Sequence, residues 1–231
     1  MSAWDDYFWD SDSRVLRNKL GIRDRGDSRA AEHAAVARRT AQIINGSVII
    51  ERSYDASHFC AIHRHLFQDV YDWAGSYRTV DMARGDSPSF VSRSQLEVEL
   101  SRAASHIAST PWKRLDLEEF SGALASVAAV INFAHPFRDG NGRASKVFLA
   151  HVAELSSFVL DYSRVTPREW NYAFELSMPH GRETRPLSAP LEAVVECLAQ
   201  SEDSPRVALP TRVFGITYSS ATLVAERGVE L

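Results

Sequence analysis

The run from Ala123 to Phe133, apolar on nearly every side, constrains this chain more than any other stretch. Asp116 can cap a helix ahead of it, Glu118 and Glu119 fall where the helix dipole favours negative charge, and Pro136 ends it. A helix that is apolar all round has to be enclosed by other elements. The run is too short to cross a bilayer and contains Ser126 and Asn132, so it predicts the central helix of a packed domain.

Helical patterns elsewhere supply the enclosure. Asp27 or Ser28 starts a helix to about Asn45, stopped by Gly46. Asp55 caps a second, with Phe59, Ile62, Leu66, Phe67 and Val70 at helical spacing, ending near Trp73-Ala74-Gly75. Ser92 or Ser94 opens a third, to about Ser109 before Pro111. A fifth carries Val147, Phe148, Leu149, Val152 and Leu155, Thr166-Pro167 begins a sixth, and Leu187 to Gln200 reads as a seventh. Only Arg78 to Val91, with Val80 and Met82, a Gly85-Asp86 turn, then Phe90 and Val91, suggests a short β-hairpin. The expected fold is all-α, a helical bundle with one hairpin: a segment 1–26, a domain 27–200 and a tail 201–231.

The charge balance is −4, which excludes a broad basic surface for nucleic acid or anionic membrane. Cys60 and Cys197 have no CxxC partner and are expected as two buried free thiols. The first residues are acidic, with no apolar core of a signal peptide, so a cytoplasmic protein is expected.

The chemistry concentrates between the fourth and fifth helices. Gly140, Asn141 and Gly142 let backbone N–H groups converge at a helix N-terminus, a nest suited to phosphate. Arg143 adds a guanidinium, Lys146 a second cation one turn on, and Arg138 a third just ahead. Asp139 would repel phosphate unless it holds a cation such as Mg²⁺. His135 alone there titrates near neutrality, as a general base for a hydroxyl should. Neither the Walker A spacing nor the dinucleotide fingerprint fits. His63 and His65, two apart on a helix, make a poor metal pair.

His135-Pro-Phe-Arg-Asp-Gly-Asn-Gly-Arg143 resembles the core motif of Fic-domain proteins. Leu16-Arg-Asn-Lys-Leu-Gly-Ile-Arg23 and Ile62-His-Arg-His-Leu-Phe-Gln-Asp-Val-Tyr-Asp-Trp-Ala-Gly75 extend the likeness over roughly residues 14–195. The resemblance implies a helical bundle with a hairpin flap and, as activity, protein adenylylation. His135 would deprotonate a Tyr, Ser or Thr hydroxyl and Asp139 would hold Mg²⁺. The Gly140–Gly142 backbone, the Asn141 amide and Arg143 would stabilise charge developing on the phosphates of ATP. Ser89, Phe90 and Val91 would dock the target, with Phe90 open between a flap-tip contact and a core anchor. Phe137 would fix the loop on the core. Asn171 and Trp170 fall on the adenine side, with core packing the first reading for Trp170, and Arg78 is structural or faces the nucleotide.

Lys146 departs from the family pattern, which has a second Arg there. A fold-sharing phosphotransferase, or a catalytically weak member acting by partner binding, are the alternatives. Inhibitory Ser/Thr-x-x-x-Glu helices occur in relatives, in the same chain or a separate small antitoxin. Ser28-Arg-Ala-Ala-Glu32 and Thr222-Leu-Val-Ala-Glu226 match the bare spacing here. The layout implies a separate antitoxin and a target such as a topoisomerase subunit.

Overall fold

The computed structural model of the chain describes residues 5–10, 14–83, 89–180 and 183–201. Its helices are α1 (Arg25–Ile44), α2 (Ala56–Phe67), α3 (Leu96–Ser109), α4 (Leu117–Ala134), α5 (Asn141–Ala153), α6 (Pro167–Leu176) and α7 (Ala189–Leu198). Two three-residue strands, β1 (Phe158–Leu160) and β2 (Ala199–Ser201), pair antiparallel.

The starts of these helices follow from local chemistry. Asp116 and Glu119 form a reciprocal capping box on α4, and Thr166 and Glu169 form another on α6 behind Pro167. Asp55 caps α2 by accepting the His58 N–H at 3.1 Å. Burial works against the Asp55 carboxylate, yet donors from Ser53, Ser57 and the helix backbone hold its pKa down at about 2. The first helix starts earlier than expected, because Asp24 rather than Asp27 accepts the capping bond.

α4 is the centre of the bundle and packs against α3, α5 and α7. Phe120, Leu124, Val127 and Ile131 are buried, and the small Ala125, Ala128, Ala129 and Ala134 let neighbours approach closely. By length and mean hydropathy, 18 residues at 1.3, α4 is sufficient to cross a membrane. Here its faces are used for packing.

The expected hairpin is reduced, among the described residues, to one antiparallel bridge, Ala83 to Ser89, with Phe90 N–H donating to Met82 O at 3.0 Å. The Gly85-Asp86 turn lies outside the described residues. The seventh helix also ends early, at Leu198, where the chain turns into β2 and pairs Ala199 with Leu160. Strands of three residues carry no usable alternation, so pairing between distant segments, not local pattern, decides them. Both cysteines are free, but Cys60 is only partly buried and Cys197 is exposed. The expectation of two buried thiols fails because Cys197 is on the outer face of α7.

The segment before α1 is built into the bundle. Asn18 bonds to Leu16 O and Ile22 O, its side chain reaches Ser28 at the start of α1, and Lys19 N–H donates to Val70 O at 2.7 Å. That is the physical content of the Leu16–Arg23 motif: it ties the entry of α1 to the exit of α2.

Candidate active site

α4 ends on His135, whose φ of 42° and ψ of 58° are left-handed. A non-glycine residue there costs about 1–2 kcal/mol and persists only where its surroundings impose it. They do so from three sides. The His135 N–H donates to Ile131 O at 3.0 Å, its carbonyl accepts the Arg78 Nε–H at 2.9 Å, and its ring stacks on Phe90 at 3.8 Å between centroids.

The loop after it is pinned from below. Phe137 is fully buried and stacks on His63, as the structural reading of Phe137 requires. His63 Nδ1 accepts the Gly75 N–H at 2.8 Å, which leaves its Nε2–H to donate to Asp139 O at 2.9 Å. Burial pushes the His63 pKa down to about 4, so the ring stays neutral and keeps that tautomer. His65 turns away to Arg39 O. The Asn141 side chain accepts the Phe137 N–H at 2.9 Å and donates to Phe137 O at 2.8 Å. This corrects the expectation that its amide reaches phosphate. A buried turn must satisfy its own backbone, and the Asn141 amide oxygen and one of its two N–H groups do that.

Gly140, Asn141 and Gly142 open α5. Gly140 has φ 78°, and a Cβ there would lie 2.3 Å from Phe67 Cζ. A Cβ on Gly142 would meet nothing within 4 Å. The first α5 bond is Ala144 N–H to Gly140 O, so the N–H groups of Asn141, Gly142 and Arg143 precede the helical ladder.

Arg143 lies over the Phe67 ring and bonds to two carboxylates, Asp139 at 3.1 Å and the buried Glu32 of α1. Burial alone would lower the guanidinium pKa, but the two carboxylates more than offset it and the net shift is upward. Tyr71 OH also donates to Glu32, and burial together with that carboxylate raises the Tyr71 pKa, which keeps it a donor. Of the two candidate inhibitory spacings, Ser28–Glu32 therefore delivers its carboxylate to Arg143 and not to Lys146. The other, Thr222–Glu226, lies outside the described residues.

Lys146 points its ammonium at two rings, 5.4 Å from the Tyr162 centroid and 5.2 Å from that of Trp170. Burial lowers its pKa to about 8. Trp170 packs on Tyr162 and Phe174, the expected core role, with half-buried Asn171 beside it.

Three expectations are redirected. The Arg138 guanidinium sits over the rings of Phe8, at 5.1 Å, and Tyr7, at 5.5 Å, so cation–π contact with the N-terminal turn takes the group expected at phosphate. Phe90 is buried against His135 and is no flap tip. Val91 is buried too, its N–H donating to Phe133 O at 3.0 Å. Of the three residues expected to dock a target, only Ser89 is exposed. The Asp139 carboxylate is 43% exposed, and its Oδ1 accepts from Gly140 N–H and from Arg143.

The sequence pattern of the Fic/DOC family matches residues 53–153. Over 164 residues the chain is 33% identical to a probable protein adenylyltransferase of Sinorhizobium fredii, covering 68% of this chain and 80% of that protein. The chain belongs to the Fic/DOC family. A probable protein adenylyltransferase Fic of Salmonella typhimurium is 32% identical, covering 69% of this chain and 78% of that protein. The protein adenylyltransferase VbhT of Bartonella schoenbuchensis is 32% identical, but the chain spans only 35% of its length. Among solved structures, the effector BepC of Bartonella tribocorum with bound AMPPNP superposes with a TM-score of 0.77 at 23% identity, over 87% of this chain and 99% of that one. It shows that the Fic fold extends well beyond the matched motif.

Sequence reasoning gave His63 and Tyr71 no part in building this Fic/DOC site, and named Glu32 only for its Ser28–Glu32 spacing. One signal was present: His63 lies four residues after Phe59 and four before Phe67, a polar residue inside the buried stripe of α2.

Proposed function

We propose that this chain is a protein adenylyltransferase that moves AMP from ATP to a Tyr, Ser or Thr hydroxyl of another protein. The observation that carries the reading is the left-handed His135 at the head of the short loop that ends in the first-turn N–H groups of α5. The His135 imidazole takes the proton of the target hydroxyl, the oxygen bonds to the α-phosphorus, and the bond to the leaving pyrophosphate breaks. In this reading the N–H groups of Asn141 to Arg143 and the Arg143 guanidinium stabilise the charge on the phosphate oxygens, with Lys146 as a further cation. The curated relatives named as adenylyltransferases support this donor.

A divalent cation fits the site through Asp139. Among the described residues no cluster of three or more His, Cys, Asp or Glu side chains occurs. A single half-exposed carboxylate suits Mg²⁺, which takes one or two carboxylates and completes its shell with phosphate and water. Bound there, Mg²⁺ supplies charge neutralisation to the polyphosphate. For regulation, the proposal includes a separate small protein whose Ser/Thr-x-x-x-Glu helix brings a carboxylate to Lys146. The Lys146 ammonium lies against the two rings, whereas Arg143 already has Glu32.

The test uses Mg-ATP labelled on the α- or the γ-phosphate, incubated with lysate proteins. Label from the α position alone, abolished in His135→Ala, is the expected result. Transfer of γ-label would assign a phosphotransferase instead, and no transfer despite calorimetric Mg-ATP binding would assign a binding protein.

A further inference from the structure

Arg78 has a side chain with no exposed area, and each of its five N–H donors has an acceptor. Nε donates to His135 O at 2.9 Å. Nη1 donates to Val80 O at 2.7 Å and to Asp81 Oδ1 at 3.4 Å. Nη2 donates to Val91 O and, at 3.4 Å, to Ala134 O. The Arg78 backbone N–H adds a bond to Pro136 O at 2.7 Å. No donor remains for a nucleotide, which settles the choice left open by the sequence: Arg78 faces the protein.

The acceptors fall into two groups. Ala134, His135 and Pro136 are the turn that presents the general base. Val80 and Val91 are the two limbs of the segment expected to dock the target, one on each side of the Ala83–Ser89 bridge. Asp81 joins the same arrangement, since its Oδ1 also accepts the Arg93 N–H at 2.7 Å. Phe90, next to Val91, is the ring that covers His135.

We infer that Arg78 is a positioning residue that locks the His135 turn to both limbs of the 80–91 segment, so that the base and the two limbs are set by one guanidinium. The inference rests on the adenylyltransferase reading for its catalytic consequence, and on geometry alone for the mechanical one. A planar fork with donors in three directions does what an ammonium cannot, because three N–H groups on one nitrogen do not span carbonyls on three separate segments.

The experiment uses the full chain as Arg78→Ala and Arg78→Lys. Transfer of α-label to lysate proteins should fall on the order of 100-fold in Arg78→Ala, the scale expected for a misplaced catalytic group. Calorimetric Mg-ATP affinity should stay unchanged. Amide hydrogen exchange should quicken together at His135, Phe90 and Val91. Added guanidinium ion should restore part of both the rate and the protection, while Arg78→Lys should recover little. If Arg78→Ala does not fold, Arg78→Lys carries the same readings. Loss of Mg-ATP affinity in step with the rate would overturn the inference, as would exchange that quickens on only one of the two segments. Should the unaltered chain transfer no AMP, the adenylyltransferase reading falls, and the exchange and guanidinium results still decide the role of Arg78.

Discussion

Two glycines two positions apart have opposite jobs. Gly140→Ala places a methyl against Phe67 in a left-handed backbone, which should cost about 3 kcal/mol and lower the denaturation midpoint. Gly142→Ala meets open space, so its midpoint should hold while Mg-ATP affinity drops; a variant with unchanged affinity would remove Gly142 from the nest. Lys146 offers a second residue-level test. Its pKa of about 8 means that the ammonium is lost as pH rises through that value. An anion favours the charged form, so the KM for ATP should rise above about pH 8. Lys146→Arg should flatten that rise, because a guanidinium stays charged. A KM that is flat with pH in the unaltered chain would mean that Lys146 does not meet the polyphosphate.

At the scale of elements, what could be read from the sequence was what local chemistry decides. The caps at Asp55, Asp116 and Thr166 opened helices where expected. The glycine turn that opens α5 was legible because its residues are contiguous. What supports it was not, because His63 reaches Asp139 across 76 residues and Arg78 reaches His135 across 57. Nothing periodic marks such pairs. The β1–β2 pairing escaped for the same reason, since each strand is too short to signal alone. The loop between α4 and α5 should therefore answer to substitutions on α2. His63→Phe keeps the ring stack on Phe137 but removes the bonds to Asp139 O and Gly75 N–H. Its helix content should persist while AMP transfer falls at least about tenfold, the scale of a modest misplacement. Unchanged transfer would show that Phe137 and Asn141 hold the loop without it.

Taken as a whole, the molecule has an acid limit built into its core. His58 Nδ1 accepts the Tyr54 N–H at 3.3 Å, and His58 Nε2 meets His151 Nδ1 at 2.9 Å, joining α2 to α5 through two neutral rings. Burial, aided by Arg52, lowers their pKa values to about 4 and about 3. In the unfolded chain both return to about 6.5 and bind protons more readily than in the fold. Stability present above pH 6.5 should thus be lost progressively as pH falls toward 4. Denaturation midpoints measured across that range should fall less steeply in His151→Gln. An equal slope would assign the acid sensitivity elsewhere.

The Arg143–Glu32–Tyr71 contact bears on inheritance. The matched family segment begins at residue 53, yet one of the two carboxylates that hold its arginine comes from 111 residues earlier in the chain. A lineage can therefore retune the arginine without altering a letter of the recognisable motif. A substitution at position 32, with Tyr71 and Arg143 kept, should be enough to do so among descendants of this gene. A motif-only comparison will count two proteins as equivalent when their first helices have already set them apart.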